Sequence, residues 1–346
     1  MLSKVLSFFG NNQNGLTASR VNHVDRDYQR TFCRVPDETK LSPSLLEKRR
    51  TRDHVLKAFT QRVRISLINN TRAVTRAQER HQLSPIMTKL VGRAMSAASL
   101  LASWQYGDER VILEFRGTGP VEMIYAEAIR NGEVRAYTTT PKVNQASNMP
   151  LGLALGGGGT LRITKVLYNQ ASPYHSVVPL ASADISSDIF NYYKYSEQIP
   201  AYVDLDTQLD YQDRVTFSGG LIIEALPALK DEKSNQNYLE PYVHRLQNLP
   251  PMSVLFGQDK HSLKTVLKAI LQEELEEHSI QKLLVDFHCR CSKDKITKLL
   301  IKLQKEDLRE FLDRQPGEKA VTCQFCNERY MLDTREVEEL EALSKD

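Results

Sequence analysis

The chain has 346 residues and a formal net charge of +3, from 46 Lys and Arg against 43 Asp and Glu, with 41% hydrophobic and 26% charged residues. These are ordinary globular proportions, ample for two or three domains with a sizeable core, and they exclude a chain that is disordered or fibrous as a whole. A membrane-spanning helix, which needs about 18 or more consecutive apolar residues, is excluded too: the richest stretch, Leu90 to Trp104, is broken by Arg93 and several serines. Five cysteines in the whole chain are too few for a secreted disulfide scaffold and point to a reducing compartment.

The first 24 residues hold no acidic side chain, carry Lys4 and Arg20, and open on an amphipathic stretch from Leu2 to Phe9. That pattern suits an organellar transit peptide, and it equally suits a disordered tail running into Asn11, Asn12, Gln13, Asn14 and Gly15. Residues 1–50 are read as a poorly ordered extension and its lone Cys33 as an incidental thiol. Residues 48–80 then carry ten Lys or Arg against only Asp53 and Glu79. Such a stretch can neutralise phosphates. Here, however, Val55, Leu56, Phe59, Val63, Ile65, Leu67 and Ile68 interleave with the cations, the pattern of buried faces with solvated charges between them.

The organised body begins near Thr51. Ser84-Pro85 opens a helix whose apolar residues Met87, Leu90, Val91, Ala94, Met95, Ala98 and Leu101 recur at helical spacing, amphipathic and with proline in its first turn. Past Gly107-Asp108 the period changes to short β-rich runs at 111–115, 121–128 and 134–138, divided by Gly117, Gly119-Pro120 and Asn131-Gly132. Asn-Gly between such runs predicts a hairpin. Gly156 to Gly159 precede a further strand from Thr160 and lack the Gly-Lys-Ser/Thr ending of a phosphate loop, so they read as a hairpin approach. Residues 183–195 read as an aromatic-rich helix whose Tyr192, Tyr193 and Tyr195 suit packing against a sheet, or a platform for stacked bases. Gly219 to Pro227 reads as the last strand of the body, completing an α+β fold with antiparallel sheet. No Gly-x-Ser-x-Gly or His-Glu-x-x-His occurs and the eight histidines are scattered, so no catalytic site is expected.

Beyond Pro227 the character turns to long, densely charged helical stretches. Residues 231–249 and 262–277 read as amphipathic helices, the second setting Leu263, Val266, Leu267, Ile270 and Leu271 on one face and Glu273, Glu274, Glu276 and Glu277 on the other. They form a linker, either a passive connection or a weakly held segment that opens.

Four of the five cysteines come last: Cys289-Arg290-Cys291, thirty-one residues, then Cys323-Gln324-Phe325-Cys326. Two close thiol pairs brought together supply the four soft thiolates of a closed tetrahedral zinc site, with Zn–S of about 2.3 Å and no open position. An ion so enclosed binds no substrate. It either holds a small module together or reports thiol oxidation, because coordination keeps sulfur as the thiolate that oxidants attack. Two other readings of these residues stand. One is a zinc-ribbon module that binds nucleic acid or a protein, with residues 48–80 as contact surface. The other is a thiol–disulfide oxidoreductase using Cys323 and Cys326, although that motif ordinarily opens a helix after a strand.

Sheet body, charged helical linker and terminal cysteine module, in this order, resemble the heat shock protein 33 family (33 kDa chaperonin), redox-regulated holdase chaperones. The likeness covers nearly all of residues 53–335. It rests on Arg80-His81-x-x-Ser84-Pro85, Ala98-x-Leu100-Leu101-Ala102, Ser196-Glu197-Gln198-Ile199-Pro200 and Gly219 to Pro227, and most specifically on Phe287-x-Cys289-x-Cys291-Ser292 and Val321-Thr322-Cys323-Gln324-Phe325-Cys326-Asn327-x-x-Tyr330. The extension before residue 50 and the charged stretch from Leu300 to Arg309 depart from it.

The resemblance implies a protein that is not an enzyme, divided into the extension (1–50), an α+β chaperone body (51–230), a charged helical linker (231–285) and a zinc-binding redox-switch module (286–346). It implies one zinc ion held by Cys289, Cys291, Cys323 and Cys326 in the reduced state. Oxidation to the disulfides Cys289–Cys291 and Cys323–Cys326 then releases zinc together with the binding free energy that folded the module. The strained ring closed across one residue makes the first of these readily reversible. The active form captures unfolding client proteins without ATP under oxidative stress and is a homodimer. Nucleic acid and membrane are not expected partners. The implied location is the cytoplasm, or a mitochondrial or other organelle matrix if the extension acts as a leader.

Overall fold

The computed structural model describes residues 52–143, 149–168, 170–180, 184–226, 239–256, 262–272, 275, 277–313 and 319–343. The expectations for residues 1–50, Cys33 among them, and for Glu273, Glu274 and Glu276 lie outside the described residues.

From His54 on, the basic stretch becomes a hairpin and a helix. β1 (His54–Phe59) and β2 (Val63–Asn69) pair antiparallel, and Val55, Leu56, Ala58, Ile65, Leu67 and Ile68 are buried. Of the cations between them, Arg64 pairs with the buried Glu224, while further along Arg76 pairs with Asp286 and Arg80 with Glu328. α1 (Thr71–His81) follows. Its preceding Asn70 supplies no side-chain cap; instead Asp53 reaches over from before β1 and accepts from the backbone N–H groups of Arg72 (3.2 Å) and Ala73 (2.7 Å), satisfying donors that a helix start leaves orphaned.

α2 (Pro85–Ala102) starts at the expected proline. The sequence reads as amphipathic, yet the helix is buried on nearly every side, because it touches strands of two sheets at once. Then come β3 (Arg110–Arg116), β4 (Met123–Ile129), β5 (Glu133–Thr138), α3 (Leu151–Leu155), β6 (Thr160–Val166), β7 (Tyr174–Pro179), α4 (Ile185–Tyr192) with a π-helical turn over Tyr193–Glu197, β8 (Ala201–Leu209) and β9 (Val215–Ala225). Tyr192 and Tyr193 are buried, and only Tyr195 is exposed. The aromatic helix therefore packs against the body and offers no platform for bases.

β9 does not close the body. After α5 (Glu240–Gln247), α6 (Met252–Phe256) and α7 (Leu263–Leu271), two further strands, β10 (Gln281–Leu284) and β11 (Asp286–Phe287), return to it. The five-stranded sheet has the order β10-β1-β2-β9-β8 and the six-stranded sheet β11-β5-β4-β3-β6-β7. Every pair is antiparallel except β11 on β5. The apolar face read for α7, from Leu263 to Leu271, is buried together with Leu239, Tyr242, Met252 and Leu255 against Leu56, Ile65, Leu67, Phe217, Leu221 and Ile223 of the five-stranded sheet. Covered on both faces, β1, β2 and β9 are buried along most of their length.

These elements, with residues 322–329, make one compact unit. A second gathers the described residues of Cys291–Val321 and Tyr330–Asp346: α8 (Lys293–Leu300), α9 (Lys305–Asp313), all but the Thr322 and Arg329 ends of the paired β12 (Ala320–Thr322) and β13 (Arg329–Met331), and α10 (Thr334–Leu343). Its core is small, eight buried apolar side chains led by Leu308 and Leu340. The charged stretch from Leu300 to Arg309 is the junction of α8 and α9, with Leu303 and Leu308 turned inward. Among the described residues no helix is long and apolar enough to cross a membrane.

The Asn131-Gly132 hairpin joins β4 to β5, and Gly132 adopts φ +96°. A Cβ there would lie 1.7 Å from the Leu284 carbonyl oxygen, and the Gly132 carbonyl accepts from Asp286 N–H at 3.0 Å. The turn thus seats the chain between β10 and β11. Gly132→Ala is expected to cost at least about 1–3 kcal/mol, read as a lower urea midpoint of the reduced protein.

Candidate metal centre

Cys289 is delivered by β11. Asp286 and Phe287 lie opposite Glu133 and Val134 in parallel register, and His288 N–H donates to the Val134 carbonyl at 3.1 Å, so the first thiol leaves the edge of β5. Arg290 then forks onto Glu133 at 2.5 and 2.9 Å. Burial opposes ionisation of that carboxyl, but the Arg290 hydrogen bonds hold it below its usual range. Cys291 precedes Ser292, whose hydroxyl caps α8 by accepting from Lys295 N–H, and its Sγ is 3.1 Å from the Tyr330 hydroxyl.

The second pair sits in the turn from β12 to β13. Asn327 N–H donates to the Cys323 carbonyl at 2.8 Å and Cys323 N–H to the Glu328 carbonyl at 2.9 Å. Asn327 takes φ +56°, the left-handed conformation that Asn tolerates better than most residues, which accounts for an asparagine directly after the second cysteine. This is a strand-to-strand turn and not a helix start, so the arrangement read for a thiol–disulfide oxidoreductase is not the one formed.

The four sulfurs of Cys289, Cys291, Cys323 and Cys326 all lie within 4.8 Å of one another, and they can hold a metal ion. Cys289 and Cys323 are 3.7 Å apart. Tetrahedral zinc with Zn–S near 2.3 Å needs sulfurs about 3.8 Å apart, so the donor set fits in type, number and spacing. Chiefly through its hydrogen bond with Cys289, the Cys323 thiol is pushed up to about 12. Four thiolates coexist here only around a cation, which inverts that effect.

The body supplies a surrounding layer that the motif does not reveal. Glu127 on β4 lies directly opposite Arg135 on β5, is 3% exposed, and receives Arg135 at 3.1 and 2.8 Å and Arg110 at 3.0 Å. Arg135 also points Nη1 at Cys289 Sγ, 3.6 Å away, and its guanidinium carbon stands 3.8 Å from the centre of the Phe325 ring. On α1, His81 Nε2 donates to the Phe325 carbonyl at 3.0 Å; burial pushes this imidazole below its usual value and so favours the neutral ring. The only sequence signal for this layer is the opposite charges on β4 and β5, which become legible once the Asn-Gly hairpin sets the register.

A family model described as Hsp33 protein matches residues 53–333. The chain belongs to the Hsp33 family. Its Hsp33 relatives include a 33 kDa chaperonin of Streptococcus pneumoniae (strain CGSP14), 30% identical over 298 residues, covering 83% of this chain and 98% of that protein. Another is the 33 kDa chaperonin of Geobacillus kaustophilus (strain HTA426), 30% identical over 299 residues, with 85% and 99% covered. The crystal structure of the Hsp33 homologue from Thermotoga maritima aligns with TM-score 0.73 at 29% identity, covering 84% of this chain and 98% of that one. The expected α+β fold holds, and the Hsp33 membership makes this a chaperone-family protein and not an enzyme.

In this Hsp33 chain, Arg135→Met would leave the buried Glu127 with Arg110 as its remaining partner. The expected loss is about 1–3 kcal/mol in urea unfolding of the reduced protein. Arg290→Met, which removes a partly exposed ion pair, should cost no more than about 1 kcal/mol.

Proposed function

We propose that the chain is a redox-regulated, ATP-independent holdase that captures unfolding proteins under oxidative stress. The observation that carries this reading is the gathering of two chain-local cysteine pairs into one four-sulfur cluster in an Hsp33-family chain. Cys289, Cys291, Cys323 and Cys326 are the ligands of one zinc ion in the reduced state. When bound, zinc holds all four sulfurs as thiolates and supplies folding free energy of about 10–16 kcal/mol.

Oxidation forms Cys289–Cys291 and Cys323–Cys326. Each bond removes two electrons from two thiolates; hypochlorite takes them up with two protons to leave chloride and water, or peroxide with two protons to leave two waters. Sulfurs joined in this way no longer ligate. The core of eight buried apolar side chains is too small to hold the module on its own. Loosening then passes to α5–α7, whose apolar side chains cover the five-stranded sheet, and the uncovered faces bind clients. Activation is accompanied by homodimerisation, and the site of action is the cytoplasm. Nucleic acid is not favoured as a partner, since Arg64, Arg76 and Arg80 of the basic stretch are engaged in ion pairs with Glu224, Asp286 and Glu328.

The test is light scattering of a chemically unfolded client with the reduced zinc-loaded protein, and with the same protein after hypochlorite treatment. Suppression by the oxidised form alone is expected; equal activity of both forms, or of neither, overturns the reading. Cys323→Ser leaves three sulfurs, and its zinc stoichiometry under a competing chelator should fall below one while redox control weakens. Stoichiometric zinc of unchanged affinity in that variant would refute the ligand assignment.

A further inference from the structure

Phe325 stands between the two cysteines of the β12–β13 turn, where a polar residue would suffice to close a metal loop, yet it is only 3% exposed. Its ring meets Tyr125 at 5.5 Å and 71° and Tyr137 at 5.0 Å and 83°, both edge-to-face. The two tyrosines stack on each other at 5.1 Å and 26°. They are directly opposed across the β4–β5 ladder, so the aromatic wall is built by the sheet and needs nothing from the turn to keep its shape. Arg135, clamped by Glu127, closes one side against the Phe325 ring. His81 donates to the backbone carbonyl of the same residue.

The turn's own backbone hydrogen bonds are internal, Asn327 to Cys323 and Cys323 to Glu328. Side-chain contacts attach it to the body, among them His81 to the Phe325 carbonyl, Asn327 Nδ2 to the Arg80 carbonyl at 2.8 Å, and the Arg80–Glu328 ion pair. The strands that carry the two tyrosines are held by their own ladders, β4 to β3 and β5 and β5 to β11. Opening the turn therefore vacates the wall without dismantling it.

We propose that the Tyr125–Tyr137 wall is a binding site for aromatic side chains of unfolded polypeptide, occupied by Phe325 while the metal keeps the turn closed. This rests on the holdase reading above. The occupant is defined by what fills the site now: a phenyl ring presented edge-on, on a chain whose adjacent carbonyl meets a ring N–H donor. Arg135 recruits no acidic segment, because its charge is committed to Glu127. A stacked nucleobase is the poorer fit, since the ring planes here stand at 71° and 83° to the wall and not parallel to it.

The experiment uses full-length protein and a fluorescein-labelled peptide of residues 321–328 with serine in place of both cysteines, together with its Phe-to-Ala counterpart. In reduced protein whose zinc content is verified with a chromogenic chelator, Phe325→Ala should bind the Phe peptide at least about tenfold more tightly than the wild type does, a factor that one or two aromatic contacts support. The Ala peptide should not bind, and Tyr137→Ser added to Phe325→Ala should abolish the gain. No gain in zinc-loaded Phe325→Ala, or tighter binding of an oligo-dT strand than of the peptide, overturns the proposal. Should Phe325→Ala fail to load zinc, hypochlorite-treated wild type and Tyr137→Ser are compared instead, and equal peptide affinity overturns it. Client protection by oxidised wild type without peptide binding sinks this inference alone. Peptide binding by Phe325→Ala when oxidised wild type protects no client sinks the holdase reading and leaves the site standing.

Discussion

Four sulfur atoms drawn within 4.8 Å of one another cannot all carry negative charge unless a cation sits among them, and much of the C-terminal part of this chain is organised around that electrostatic constraint. Around a divalent ion they would form a closed shell whose binding free energy exceeds what the small core of α8–α10 can supply. The β12–β13 turn, the left-handed Asn327 and the capped start of α8 at Ser292 are local solutions that place each cysteine pair in the cluster. On the proposed reading, order at this end of the chain is tied to the oxidation state of sulfur.

The second constraint is a buried carboxylate. Glu127, 3% exposed, would be costly inside a sheet if left alone, and it is held by two arginines on neighbouring strands. The result is rigidity: Arg135, fixed at its fork end, presents its remaining N–H toward Cys289 and its face to Phe325. A lysine would not perform the same three tasks, since it lacks the planar fork that allows two donations to Glu127, stacking and a further donation at once. The body therefore takes part in shaping the environment of the sulfur cluster, and does so from strands whose register is set far away in sequence by the Asn131-Gly132 turn.

How far these arrangements were legible in the sequence depends on whether the signal was local. Pro85, the Asn-Gly turn, the apolar face from Leu263 to Leu271 and the paired cysteines each announce themselves within a dozen residues, and each lies where expected. β10, Gln281 to Leu284, does not: four residues with no alternation and two of them apolar carry too little pattern, and only the open edge of β1 makes them a strand. For the same reason the sequence presents β9 as the last strand of the body. α2 looks amphipathic in sequence because periodicity reports one apolar face; the small residues on its other side, Ala97, Ser96 and Ser99 among them, are buried because a second sheet stands there. Phe325 carries no signal of its own because its partners, Tyr125 and Tyr137, are nearly two hundred residues earlier, and nothing local distinguishes a docked phenylalanine from a solvated one.

The docking of Phe325 and the closing of the metal site are linked equilibria, and linkage runs both ways. If a metal ion among the sulfurs holds the turn in the conformation that seats Phe325, then the seated Phe325 must tighten the metal by the same factor. Two edge-to-face contacts and an arginine stacked on the ring contribute on the order of 1–4 kcal/mol, modest beside the metal's about 10–16 kcal/mol. That ratio sets the direction of control. The ion can retain the turn with the ring removed, whereas the ring cannot retain the turn once the sulfurs have left the ion. An aromatic contact of this strength suits a cover: strong enough to keep the tyrosine wall occupied in the reduced protein, and too weak to oppose the oxidation that uncovers it.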